Sequence, residues 1–248
     1  MKWGNIHLTE ALVRSGQHWQ TQKEKEAREP CAAPKFTIAL SRQVGARGTS
    51  VARVIGARMG WPVYDRELLE EIGKTMKVRA DLLKSVDERR VTSMQECIEA
   101  LMTTTHVRAG AYFRHLLDTL LSLGLHGECI IVGRGAPQVL PPDTTLRVRL
   151  VGKIEDRIAV MMKELDVNAA QAGKHIESTD LERTRFVREH FHKDPTDPLQ
   201  YDLVLNSSRF SNEECASVIV QALQQLQQRM SAKSSPRETE SMQTLRTS

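Results

Sequence analysis

Aromatic residues are scarce: 3 Trp, 3 Tyr and 5 Phe in 248 residues. A surface that stacks successive bases of a single strand has little to draw on, and no specific nucleic-acid binding is expected. The four cysteines, Cys31, Cys97, Cys129 and Cys215, are scattered and form no C-x-x-C pair. That spacing favours neither a zinc site nor a disulfide framework and points to a reducing, cytoplasmic setting. No apolar run reaches the length of a membrane-spanning helix. The first 34 residues carry no apolar stretch of secretory type, so no signal peptide is expected. A G-x-S-x-G elbow is lacking, as are D-F-G and H-R-D, which leaves a serine hydrolase of that type and a protein kinase without support. Neither sign of charge dominates. Lys+Arg 35 against Asp+Glu 31 gives +4, a balance that suits small phosphorylated ligands.

What is present is enough for a core, with 40% hydrophobic and 27% charged residues. Residues 1–34 read as a loosely attached extension, rich in charge and Gln before Pro30, and residues 231–248 as a disordered tail. Between them short apolar runs alternate with helical periodicity. Strands are expected over 36–40, 61–65, 129–132, 146–151 and 201–205. Val51, Val54, Ile55 and Met59 mark one helical face that Gly60 closes, and further helices are expected over 67–76, within 80–123, over 154–165 and over 213–230. Such alternation predicts an α/β fold, a parallel sheet with helices on both faces. In such sheets ligands lie beyond the carboxyl ends of the strands. The loops that open at Ser41, Asp65, Gly133, Gly152 and Asn206 are therefore the ones to inspect.

The first of these holds Ser41, Arg42, Gln43, Val44, Gly45, Ala46, Arg47, Gly48, Thr49 and Ser50 between a strand and a helix. A phosphate loop needs that context, because successive backbone N–H groups and a helix N-terminus together attract an anion. Set against G-x-x-x-x-G-K-S/T, Ser41 and Ala46 replace the two glycines and Arg47 replaces the Lys. Arg47 brings positive charge with a forked grip on phosphate oxygens. The hydroxyl of Thr49, or that of Ser50, is the candidate Mg²⁺ ligand. By pattern alone the segment reads equally as a phosphate nest or as an ordinary strand-to-helix turn.

Four motifs in order narrow the choice. They are Ile-Ala-Leu-Ser-Arg-Gln-Val-Gly ending at Gly45, Gly-Trp-Pro-Val-Tyr-Asp-Arg-Glu-Leu-Leu from Gly60, Ile-Ile-Val-Gly-Arg-Gly-Ala from Ile130, and Tyr-Asp-Leu-Val-Leu-Asn from Tyr201. With these the chain resembles the cytidylate kinase-like family, relatives of bacterial CMP kinases among the P-loop nucleoside monophosphate kinases, from about Phe36 to Leu226. The resemblance implies a P-loop NTPase fold with five parallel strands in the order 2-3-1-4-5. It implies a monophosphate-binding insert at 66–127 and a lid at 166–195 in a domain spanning 35–230. It further implies ATP and Mg²⁺ as cofactors, CMP or dCMP as the acceptor, and a monomer or weak dimer.

The site residues follow by the same resemblance. Arg134 matches the Arg that holds the monophosphate, while Gly135 stands where relatives have Asp. Asp180 and Arg183 match a D-x-x-R pair that contacts base and phosphates, whereas Ile176 replaces a further Arg. Arg157 matches the first arginine of the lid helix, and the next ones are replaced around Val160 and Met161. Asp65 matches an acidic residue near the acceptor phosphate, and as the residue before Arg-Glu-Leu-Leu it also reads as a helix N-cap. Arg47, Arg157 and Arg183 are the expected catalytic cations.

Each arginine taken alone is more often a solvated surface charge than a ligand. Arg134 departs from that, because it stands between two glycines after an apolar strand. Arg185 and Arg188 share a helical face, as lid arginines or as a solvated side. Arg147 and Arg149 alternate and are expected on the polar face of an edge-side strand. His190 and His192 lack a Cys or carboxylate partner at ligand spacing. Three functions stand open: a nucleoside monophosphate kinase, a catalytically weakened nucleotide-binding or sensing module of the same fold, and a kinase for another small phosphoacceptor.

Overall fold

The structure is a computed structural model that describes residues 3–28, 35–74, 82, 99 and 111–234. Cys31, Cys97, most of the 66–127 insert and the tail from 235 onward lie outside the described residues.

Five strands form one parallel sheet: β1 (Thr37–Arg42), β2 (Val63–Tyr64), β3 (Cys129–Val132), β4 (Thr145–Val151) and β5 (Leu203–Asn206). Their order is β2-β3-β1-β4-β5, all neighbours parallel. The helices are α1 (Trp3–Arg28), α2 (Gly48–Met59), α3 (Arg66–Lys74), α4 (Ala111–His126), the single turn α5 (Ala136–Val139), α6 (Ile154–Leu165), α7 (Ala169–Phe191) and α8 (Asn212–Ser234).

The two-residue period of a strand divides the core. Ile38, Leu40, Ile130, Val132, Leu146, Val148 and Leu150 face α2 and α8, whose Val51, Ile55, Ile219 and Leu223 complete one cluster. Ala39, Cys129 and Ile131 face the opposite way and pack under α3, α4 and the end of α7. Both faces are covered, so the central strands read as continuous apolar runs. Burial raises the Cys129 thiol to about 12, as suits a core sulfur.

The helix α2 ends where the sequence places its stop. Gly60 adopts φ 68, and the Trp61 N–H returns to the Gly56 carbonyl at 3.0 Å. Two helices depart from the sequence expectations. The extension is no loose segment, since α1 runs through 26 residues and buries Ser15, Trp19 and Gln22 on one face. Trp19 enters the α3–α4 cluster, its indole N–H donating to the Tyr64 hydroxyl at 2.9 Å. One large ring at the right turn outweighs a polar composition, because burying it is worth several CH₂ groups. The stretch expected as a lid holds one long helix, α7, opened by a reciprocal cap: Asn168 accepts from the Gln171 N–H at 2.9 Å and donates its own N–H to the Gln171 side chain at 3.1 Å.

Candidate functional site

At the carboxyl edge of the sheet, β1, β3 and β4 end level with one another. Leu40 pairs with Val132 and Ser41 with Arg149. Above them lies a cavity of about 360 Å³, closed on its far side by α7. Five arginines line it: Arg42 from β1, Arg66 at the start of α3, Arg134 after β3, Arg149 from β4 and Arg183 from α7. Ser41, Gln43, Asp180 and Phe186 share the wall.

Local structure explains each arrival. Along β4, Leu146, Val148 and Leu150 fill one core, so Arg147 and Arg149 point to the other face. The edge-strand expectation is corrected here: β4 lies between β1 and β5, and only Arg147 behaves as a surface charge, forking onto Asp202 at 2.7 and 3.2 Å. Arg149 turns inward, donating to the Ser41 hydroxyl at 3.1 Å and the Tyr201 hydroxyl at 3.2 Å. Arg42 passes directly over Gly133, where an added Cβ would lie 2.1 Å from its Nη1. The glycine is therefore a condition of the arginine's path. Arg134 adopts φ 53, which swings its guanidinium back toward α3.

The cations are under-compensated. Glu70 accepts from both Arg66, at 3.0 Å, and Arg134. The buried Arg134 Nε has no hydrogen-bond partner among the described residues, and its guanidinium lies 5.8 Å from the Phe186 ring centre. Arg183 donates to the Arg42 carbonyl at 3.2 Å. Burial, then Arg183, pushes Arg42 down to about 10, with Arg134 and Arg66 adding to the shift and Asp65 opposing it. Arg183 is likewise lowered, first by burial, against a pull upward from Asp180. Crowded cations held partly out of water create a strong preference for an anion among them.

The loop is only in part at the cavity. Ser41, Arg42 and Gln43 line it, whereas residues 44–50 lie outside its wall. Gln43 is spent on structure: its N–H reaches the Leu150 carbonyl at 3.0 Å, and its side-chain oxygen takes the Gly152 N–H at 3.0 Å. The Val44 N–H donates to Asp180 at 2.9 Å, and its carbonyl accepts from Arg157 Nε at 2.7 Å. Arg157 pairs in turn with Asp180, locking loop, α6 and α7 together. Gly45 (φ 75) and Arg47 (φ 56) bend the loop, and the Ala46 N–H closes a turn onto Gln43. The Arg47 guanidinium faces the β5–α8 loop, donating to the carbonyls of Ser207 and, at 2.6 Å, Phe210. Gly48, Thr49 and Ser50 form the first turn of α2, whose N–H groups have no partner within the helix. Asp65 caps α3 through the Leu68 N–H at 3.1 Å.

The structure thus gathers Ser41, Arg42, Gln43, Arg134, Asp180 and Arg183 around one cavity. It sets Arg47, Arg157 and Thr49 outside the wall. Arg66 and Glu70 were not named as site residues from the sequence, and Arg149 was expected on a polar strand face rather than in the site. Arg66 follows a strand end and was within reach of the carboxyl-edge rule. Glu70 carries no local signal, and the alternation at Arg149 does not tell a site residue from a surface charge.

A model of the cytidylate kinase-like family matches residues 37–209. A cytidylate kinase of Methanopyrus kandleri is 30% identical over 112 residues, 42% of this chain and 58% of the relative, so the chain spans less than two thirds of that relative's length. The structure of an uncharacterized protein from Eubacterium ventriosum is similar with a TM-score of 0.63 at 18% identity, over 77% of this chain and 99% of the other. A shikimate kinase from Bacteroides thetaiotaomicron is more distant, with a TM-score of 0.41 at 16% identity over 78% and 98% of the two chains.

Proposed function

The chain belongs to the cytidylate kinase-like family, and from that premise we propose that it transfers the γ-phosphoryl group of ATP to a nucleoside monophosphate, CMP or dCMP. The supporting observation is the convergence of Arg42, Arg134, Arg149 and Arg183 on one cavity at the carboxyl edge of the sheet. The reaction asks for positive charge and in-line placement rather than covalent work from the protein. An acceptor phosphate oxygen attacks the γ-phosphorus, the bridging P–O bond breaks, and its electron pair leaves with the β-phosphate of ADP. The acceptor dianion needs no base.

Arg134 holds the acceptor phosphate, with its unsatisfied Nε as the spare donor. Asp180 and Arg183, one turn apart on α7, close over the nucleotide from the lid, 166–195. Asp65 keeps α3 and its Arg66 in place at the start of the 66–127 insert. The loop from Gly45 to Ser50 takes the donor phosphates on its backbone N–H groups. Arg47 and Arg157 shape this loop from its two sides.

The residues fit a Mg²⁺ that arrives with the nucleotide. Thr49 offers a half-buried hydroxyl in the first turn of α2, and the described residues contain no cluster of three His, Cys, Asp or Glu side chains. Such an ion neutralises charge on the phosphate oxygens. No described helix is long and apolar enough to cross a membrane. The same reading assigns residues 35–230 to the catalytic domain and places a monomer or weak dimer in the cytoplasm.

A nucleotide-sensing module is the second reading. It is favoured by one observation: Asp180 already occupies the Val44 N–H. Titrating CMP, dCMP, UMP and AMP by calorimetry, with coupled ADP release in parallel, separates the two. Binding and turnover of CMP or dCMP are expected. Binding without turnover selects the sensor, and no monophosphate binding rejects both the acceptor and its chemistry.

A further inference from the structure

The sequence offers Arg47 as the stand-in for the absent phosphate-loop lysine, yet its guanidinium is turned onto the carbonyls of Ser207 and Phe210. Other cations near the loop are also engaged. Arg157 is tied to the Val44 carbonyl and Asp180, while Arg66 and Arg134 share Glu70. Arg42, Arg149 and Arg183 remain. Among the described residues none of these three has a carboxylate within ion-pair distance, and all three line the same cavity.

They also meet at one point of the chain. Arg42 is the second residue of the loop. Arg149 is fixed on the Ser41 hydroxyl beside it, and Arg183 on the Arg42 carbonyl itself. The three side chains come from β1, β4 and α7, so they approach from different directions. Tyr201 holds Arg149 from the far side, its ring centre 5.5 Å from the guanidinium carbon. Gly133 leaves the room through which Arg42 reaches the centre.

We propose that Arg42, Arg149 and Arg183 form a three-guanidinium cradle that takes the transferred phosphoryl group, in place of a single phosphate-loop lysine. The inference rests on the phosphoryl-transfer reading and deepens it. A moving phosphoryl group spreads its charge over three equatorial oxygens. Three planar forks from three elements match that distribution better than one ammonium, which is a point charge. Burial lowers both Arg42 and Arg183, neighbouring arginines add to each shift, and an anion that enters relieves it.

The test uses the full chain and inorganic pyrophosphate as probe, titrated by calorimetry at fixed ionic strength. Arg42→Met and Arg149→Met are each expected to weaken pyrophosphate binding by about 10–100-fold, the range of a lost charge-assisted contact. Arg147→Met, on the same strand face but paired with Asp202, is the control and stays at the wild-type value. Arg42→Lys guards against a variant that unfolds: it keeps the charge without the fork, and is expected to recover part of the binding but little of kcat. Unchanged binding in a folded Arg42→Met or Arg149→Met protein overturns the cradle. So does a loss in Arg47→Ala that matches or exceeds the loss in Arg42→Met. If the wild type turns over no monophosphate, the kinase reading falls, and the pyrophosphate titrations still decide the cradle.

Discussion

The Asp180 carboxylate of α7 accepts the backbone N–H of Val44 at 2.9 Å. An anion of the protein itself therefore sits on the loop that the sequence marks for phosphate. Arg157, 6% exposed, joins the same carboxylate to the Val44 carbonyl. Helix α7, the loop and α6 are thus coupled through three groups.

Replacing Asp180 by Ala leaves Arg157 buried without its counter-charge. Removing one partner of a buried pair is costly, and the partial exposure of Asp180 moderates the cost to roughly 2–4 kcal/mol. Urea unfolding should show that loss, and hydrogen exchange should quicken at the Val44 amide. Wild-type stability together with wild-type exchange would refute the coupling.

Gly135 lies under the Phe191 ring. A Cβ there would stand 2.1 Å from Phe191 Cε2, and its φ of 74 is one that side chains rarely adopt. Gly135→Ala should therefore destabilise by about 2–4 kcal/mol, combining overpacking with left-handed strain. In a Phe191→Leu background the penalty should shrink, leaving mainly the backbone part. Thermal melts of the four proteins read this coupling, and strictly additive effects would dismiss it.

The N-terminal helix is held by a ring. Trp19 is 3% exposed, donates to Tyr64, and stacks against His126 at 6.4 Å between ring centres. Trp19→Ala should cost about 3–5 kcal/mol. An effect below 1 kcal/mol in chemical denaturation would return α1 to the status of a loose extension.

Alkaline pH should weaken the fold through Cys129. Its folded value, near 12, lies above the ordinary 9.0 chiefly because of burial, with Glu128 adding to the shift and the Thr37 hydroxyl opposing it. A raised value stabilises fully below 9.0 and loses that contribution as the pH rises through 12, because the unfolded thiol ionises first. The urea midpoint should fall across this window, and less steeply in Cys129→Ala. The slope does not vanish there, since burial raises the Tyr64 phenol as well. Identical slopes in both proteins would count against the thiol.

Much of this architecture is local in origin. A strand announces itself by a run such as 129–132, and a helix by spacing such as Val51, Ile55 and Met59 before Gly60, because backbone geometry repeats every 2 or 3.6 residues. Arg134 between two glycines was legible for a related reason: a positive φ at both residues beside it, just past a strand end, leaves a mark in composition. The strand order came from family resemblance, since periodicity names elements without arranging them. Other features exist only after folding. Arg149 reaches Ser41 across 108 positions because β1 and β4 pair in one register, and a shift of one residue would send it into the α2–α8 core. Phe191 covers Gly135, and Trp19 finds Tyr64, because helix packing brings distant surfaces together. Arg47 looks like a phosphate ligand in the sequence. The fold turns it to two carbonyls of the β5–α8 loop, because a left-handed backbone at that residue aims the side chain there. Residue type and spacing fix which groups are available, and long-range pairing decides which of them face one another.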